Sequence, residues 1–144
     1  MRESRRYLLD TMVVSETRKV RADPRIVSFL SAADASSLFI SVLTVGELRK
    51  GVEVKRRTDP DAAARIGSWV DGIELSFVDR VLPIDTPTAR RWGEISADRT
   101  RPVIDTLIAA TALVHGCTLV TRNTNDVQET GVPLIDPWRT DAAP

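Results

Sequence analysis

The side chains best suited to chemistry in this chain are four carboxylates: Asp10, Glu47, Asp105 and Asp126. Asp10 follows the apolar run Tyr7–Leu8–Leu9 and precedes Thr11–Met12–Val13–Val14. A carboxylate there is either a helix N-cap, a role Asp fills well, or a reactive group at the carboxyl end of a strand. Glu47 lies in TVGELRKG, three residues after Thr44. That spacing makes a capping box, with Thr44 as the cap, its ordinary explanation. Asp105 is the most informative of the four. Ile108, Ala109 and Ala112 share its helix face, so its carboxylate points the way the core points. An ionised carboxylate in such a place is costly unless it is paired or binds a metal. The alternative is an acid that complements the helix dipole in the first turn. Asp126 belongs to TRNTND, a loop in which Asn and Asp are most often turn residues. Asn123 shares that loop and is suited to orient a water or a phosphate.

Three of these acids follow strand-like runs or open helices. Brought to one cleft with no basic group among them, they would repel one another, and a hard divalent cation would relieve that repulsion. An all-oxygen donor set favours Mg²⁺ or Mn²⁺ over Zn²⁺. His115, the lone histidine, stands at a helix end with no Cys or His motif around it and reads as a surface or cap residue.

The elements that must position these groups are legible as short apolar strands alternating with helices. Tyr7–Leu9 reads as a strand, and the pattern from Thr11 to Val20 as a short helix. Asp23 and Pro24 are a cap and a first helical residue. Ile26, Val27, Phe29, Leu30 and Ala33 give the helix they open its apolar face. Ser37–Ser41 is a second strand, and a helix capped by Thr44 runs to about Arg57. Asp59–Pro60 starts another helix, Val81–Ile84 is a third strand, and Thr86–Pro87 and Pro102 open two more helices. The last of these closes at His115–Gly116, a glycine C-cap. Cys117–Thr121 is a fourth strand and Val132–Ile135 a fifth. The alternation predicts an α/β fold whose parallel sheet is covered on both faces. The functional cleft of such a sheet lies outside the carboxyl ends of its strands.

The chain has 144 residues, a length expected to form one domain with polar tails at Met1–Arg6 and Arg139–Pro144. Its 20 basic and 20 acidic residues cancel, so net charge does not mark a nucleic-acid binder. The basic residues are nevertheless clustered, at Arg18–Lys19–Arg21, Arg49–Lys50, Lys55–Arg56–Arg57, Arg90–Arg91 and Arg99–Arg101. Clusters of this kind are solvated helix faces or a track for phosphates. The single cysteine, Cys117, permits no intramolecular disulfide and suits a reducing cytoplasm. The apolar run near the N-terminus is too short for a signal peptide, and no stretch is long enough to span a membrane.

The segments YLLDTMVVSE, SVLTVGELRKG, PVIDTLIAATA and LVTRNTND, in that order, resemble the four segments of a PIN domain. The last two, with the closing PLIDPW, are especially similar to VapC-type toxins of toxin–antitoxin systems. The likeness spans roughly Tyr7 to Trp138. It implies a PIN-like three-layer α/β/α fold with a central four- or five-stranded parallel sheet. It also implies an Mg²⁺- or Mn²⁺-dependent endoribonuclease that cuts RNA with a metal-activated water. Asp10 and Asp105 would be the main ligands, Glu47 would hold a metal-bound water or act as general base, and Asp126 would complete a second metal position. Thr11 and Thr121 would contact metal-bound water or phosphate, Asn123 would support the fourth position, and Arg122 would neutralise phosphate charge. The family's first motif usually has Asn two residues after its Asp; here that residue is Met12, which cannot donate a hydrogen bond.

The resemblance further implies a homodimer and a cognate antitoxin, with a heterotetramer or larger assembly of the two. Val13, Val14, Ile26 and Phe29 would offer the antitoxin a groove, unless they are ordinary core. The rival reading is a catalytically impaired PIN module that binds antitoxin and DNA without cutting RNA. A haloacid-dehalogenase-like phosphatase needs a second Asp where Met12 stands, and a dinucleotide-binding fold needs a glycine-rich first turn that DTMVVSE lacks.

Overall fold

The computed structural model describes residues 5–139 and 143–144. The outer ends of the expected polar tails, residues 1–4 and 140–142, lie outside the described residues. Five parallel strands form one sheet: β1 (Tyr7–Leu9), β2 (Leu38–Ser41), β3 (Val81–Leu82), β4 (Thr118–Val120) and β5 (Leu134–Ile135). Their spatial order is β3-β2-β1-β4-β5. Strand β1 is therefore central, with Leu9 level with Ile40 on one side and Val120 on the other.

Six α-helices join and cover the strands: α1 (Thr11–Glu16), α2 (Pro24–Ala32), α3 (Val42–Arg56), α4 (Pro60–Ser76), α5 (Thr86–Ser96) and α6 (Val103–His115). The two-residue period of the strands divides the core. Tyr7, Leu9, Leu38, Ile40 and Val120 face one cluster with Val13, Ile26, Leu48 and Val70 from α1 to α4. Leu8 and Leu119 face the other, with Ile108, Ala109 and Ala112 of α6 and Ile95 of α5. The result is the expected three-layer α/β/α arrangement. The small residues of α6 let that helix lie close against the sheet.

Four expectations need correction. Thr44 does not cap α3. The helix follows β2 without a loop, and Ser41 is the cap, its Oγ accepting from the Leu43 N–H at 3.0 Å. Helix α1 ends at Glu16 rather than extending toward Val20, which is fully exposed. Glu16 is itself buried, and its carboxylate accepts from Lys19 Nζ and from the Asp23 N–H, which fastens the turn before α2. Val13, Val14, Ile26 and Phe29 are all at most 2% exposed, so they are core and offer no groove. Strand β3 stops at Leu82, two residues short of the expected Ile84. No helix among the described residues is long and apolar enough to cross a membrane.

Candidate active site

The order of the strands fixes where the carboxylates meet. Asp10 ends the central strand β1 and caps α1, its Oδ1 accepting from the Thr11 N–H at 2.8 Å. Its Oδ2 accepts from the Thr121 hydroxyl, at the end of β4, also at 2.8 Å. The cap and the site are thus one residue, and the alternatives raised for Asp10 coexist. Both donors come from elsewhere than position 12. Met12 is 43% exposed, so the amide that the family usually places there is not needed to hold Asp10.

Thr11 links Asp10 to the next acid. Its hydroxyl donates to Glu47 Oε1 at 2.6 Å and lies 3.0 Å from the hydroxyl of buried Thr44. A hydroxyl has one proton and two lone pairs, so Thr11 gives its proton to the carboxylate and meets Thr44 as acceptor. With Ser41 as the cap, Glu47 lies past the first turn of α3 and is free to face Thr11. Thr44 was missed as a site residue because its spacing to Glu47 is that of a capping box.

Asp105 lies in the first turn of α6, behind Pro102, with no side chain capping that helix. Burial and the charges of Asp10, Asp126 and Glu47 push its carboxyl up to about 6, against a hydrogen bond from Asn123 that lowers it. The Asn123 amide donates to Asp105 Oδ2 at 3.3 Å. Asn123 is itself set by its N–H, which donates to Thr121 Oγ1 at 3.0 Å. Burial also raises the carboxyl of Asp10 above its ordinary value, with Glu47 adding to the rise and the bonds from Thr121 and Thr11 opposing it. A narrow cavity of about 10 Å³ separates Asp10 and Asp105, lined also by Thr121 and Asn123.

Asp126 closes the group from a single 3-10 turn, Thr124–Asp126, and is near enough for its charge to act on Asp105. Arg122 leaves the same loop in another direction, its guanidinium 5.2 Å from the centre of the Trp138 ring. His115 ends α6 as expected, although its Nε2 is buried without a hydrogen-bond partner.

The four carboxylates therefore converge electrostatically from β1, α3, α6 and the loop after β4. The donor set is all oxygen, and the hydrogen bonds from Thr11, Thr121 and Asn123 offset only part of its burial and mutual repulsion. Among the described residues no three acidic, Cys or His side chains are gathered tightly enough to hold a metal by themselves.

Residues 7–131 match the PIN domain family. The chain is 33% identical to VapC ribonuclease Y4jK of Sinorhizobium fredii, over 91% of this chain and 96% of that one. It is 30% identical to Toxin FitB of Neisseria gonorrhoeae, over 91% and 97% of the two chains. The structure of FitAB bound to an IR36 DNA fragment superposes with a TM-score of 0.85 at 28% identity, covering 94% of this chain and 98% of that one. A central parallel sheet with acids at the carboxyl ends of β1 and β4, and a sequence matched through nearly its whole length, make this chain a member of the PIN domain family.

Proposed function

We propose that this chain is an Mg²⁺- or Mn²⁺-dependent endoribonuclease and the toxin of a toxin–antitoxin pair. The observation that carries the reading is the convergence of Asp10, Glu47 and Asp126 on Asp105: burial first, and then these three acidic neighbours, raise its carboxyl to about 6, and no basic group is among the causes of its shift. The Asn123 amide offsets only part of that rise, and a carboxylate strongly perturbed by burial and like charges, with no cationic side chain beside it, is a mark of a functional site. The names of the relatives, a ribonuclease and a toxin, support RNA as substrate and toxicity as outcome.

Asp10 and Asp105 would hold the cation, with Asp126 beside them. A bound divalent cation lowers the pKa of a water and polarises a phosphodiester. Glu47 accepts the proton of the attacking water, and Thr11 fixes the orientation of its carboxylate. Thr121 and Asn123 hold Asp10 and Asp105 in their rotamers, so that neither has to reorganise when the substrate arrives. A proton on Asp105 opposes cation binding, so cleavage rises with pH through about 6. The partners would be an RNA substrate, a cognate antitoxin and a second copy of the chain, and a cytoplasmic location suits this role.

The test is cleavage of labelled RNA by purified protein with Mg²⁺ or Mn²⁺, with and without EDTA. Asp10→Ala and Asp105→Ala are expected to lower cleavage at least 100-fold and to relieve growth arrest on induced expression. Cleavage that survives EDTA, or growth arrest by both variants, would remove the acidic site from the reaction. Binding of antitoxin and DNA without any cleavage by the parent protein would favour the impaired-module reading.

A further inference from the structure

The basic clusters of the chain divide into two kinds. Arg49 is paired with Asp71 and Glu74, Arg56 with Glu53, Arg91 with Glu94 and Arg101 with Asp98. Arg18, Lys50, Lys55 and Arg65, like Arg21, Arg57 and Arg90, are exposed and have no carboxylate within ion-pair distance among the described residues, but only the first four line the clefts beside α3. These four lie on one surface. A cleft of about 420 Å³ begins at Glu47 and runs along α3 past Lys50 and Val54 to Lys55. A second cleft, of about 490 Å³, is lined by Arg18, Lys55, Arg65 and Trp69. Gly51 and Lys55 line both clefts, so the two adjoin there as a two-part channel, and the lining of the first part includes Glu47, a carboxylate of the candidate site. Glu47, Gly51 and Lys55 follow the four-residue spacing of one helix face, which covers about 12 Å along the axis.

Gly51 adds a second observation. It lies inside the 15-residue α3, where glycine costs about 1 kcal/mol relative to alanine. A Cβ built there meets nothing within 4 Å, so no packing constraint requires glycine. Gly46, Gly72 and Gly93 are open in the same way; what sets Gly51 apart is its place in the lining of both clefts, where an added side chain brings its own charge to the junction.

We propose that this channel is the track for single-stranded RNA on one side of the scissile phosphate. The proposal rests on the nuclease reading for its polarity toward Glu47. Lys50, Lys55, Arg18 and Arg65 neutralise successive phosphates, while Val54 and the half-buried ring of Trp69 take bases. Unpaired cations beside an aromatic face are the combination by which single strands are bound without sequence readout. On this proposal a base-paired helix, which cannot offer an unstacked base to Trp69, binds the channel more weakly than a single strand.

The test measures binding apart from cleavage. The full chain carrying Asp105→Asn is titrated against a 5′-fluorescein-labelled 12-nucleotide single-stranded RNA, and anisotropy is followed from 50 to 300 mM KCl. Lys55→Glu with Arg65→Glu is expected to raise Kd at least tenfold and to flatten the salt slope by about 1.4, two phosphate contacts at roughly 0.7 each. Trp69→Leu, which keeps an apolar filling, is expected to weaken binding about fivefold or more. Gly51→Glu weakens binding and Gly51→Arg strengthens it, and both fold because the position is open. A Kd for the Lys55/Arg65 variant within twofold of its parent overturns the proposal, and so does equal weakening by Gly51→Glu and Gly51→Arg. Such a result combined with loss of a co-purifying protein would make the channel a docking surface for a polypeptide. Failure of the two readings is distinguishable. Channel-dependent binding without cleavage defeats the nuclease, whereas cleavage of long and short RNA with parental KM by the channel variants defeats only the track.

Discussion

At Asp105 burial and three neighbouring charges act in the same direction, so the residue that matters most to the site works against the fold. The sign follows from linkage. Between pH 4 and pH 6 the folded carboxyl keeps a proton that the unfolded chain has lost. The penalty therefore grows as pH rises through that window and is complete above it. Asp105→Asn removes the charge and keeps an oxygen for Asn123. In EDTA at pH 7.5 it is expected to raise Tm by about 3–6 °C, an advantage that vanishes near pH 4. A calorimetric series across that range checks it; an unchanged Tm at pH 7.5 would mean that Asp105 is not held under charge repulsion. Asp10 differs in having two donors of its own, from Thr11 and Thr121, which offset part of its burial.

At the scale of the element, the sharpest feature is the passage from β2 into α3 with no intervening loop. Ser41 is the last strand residue and the helix cap at once. Ser41→Ala is expected to cost about 1 kcal/mol, seen as a lower urea midpoint, and to loosen the turn that aims Thr44 and Glu47 at Thr11. The sequence alone led to Thr44 as the cap because a strand followed by a helix normally needs a turn, and Thr44 with Glu47 satisfied the local pattern. The central strands and most helix starts were legible for the opposite reason. Asp23 and Asp59 with the prolines that follow them, and Gly116 at φ 64°, carry their conformational meaning within one or two residues. Asp10 and Asp105 were legible because each interrupts an apolar pattern. Thr11, Thr121 and Asn123 acquired specific partners only in three dimensions, since each contact joins residues at least 18 positions apart.

Over the whole molecule, the strands and the helices α3 and α6 bring the acids together in the folded chain alone, so an ion bound there as proposed is expected to stabilise the fold by mass action. Addition of Mg²⁺ is expected to raise the Tm of the parent protein, by about 2.7 kcal/mol of added stability at 100 times Kd. Asp105→Asn should lose most of that gain. Equal shifts for both proteins would locate the ion elsewhere. Leu8, wholly buried at the centre of the sheet, tests the frame that does this work: Leu8→Ala is expected to cost about 2–5 kcal/mol, measured by chemical denaturation.

The central strand and one of its two neighbours come from distant parts of the chain. Leu9 lies level with Val120, and the Thr121 hydroxyl that holds Asp10 is 111 residues away. During synthesis β1, β2 and β3 with the helices between them emerge while Asp10 still lacks that hydroxyl and Asp126 does not yet exist. The group of acids is thus assembled only after the segment from β4 to Asp126 has been made, and a chain that stops before it lacks both the Thr121 hydroxyl and Asp126.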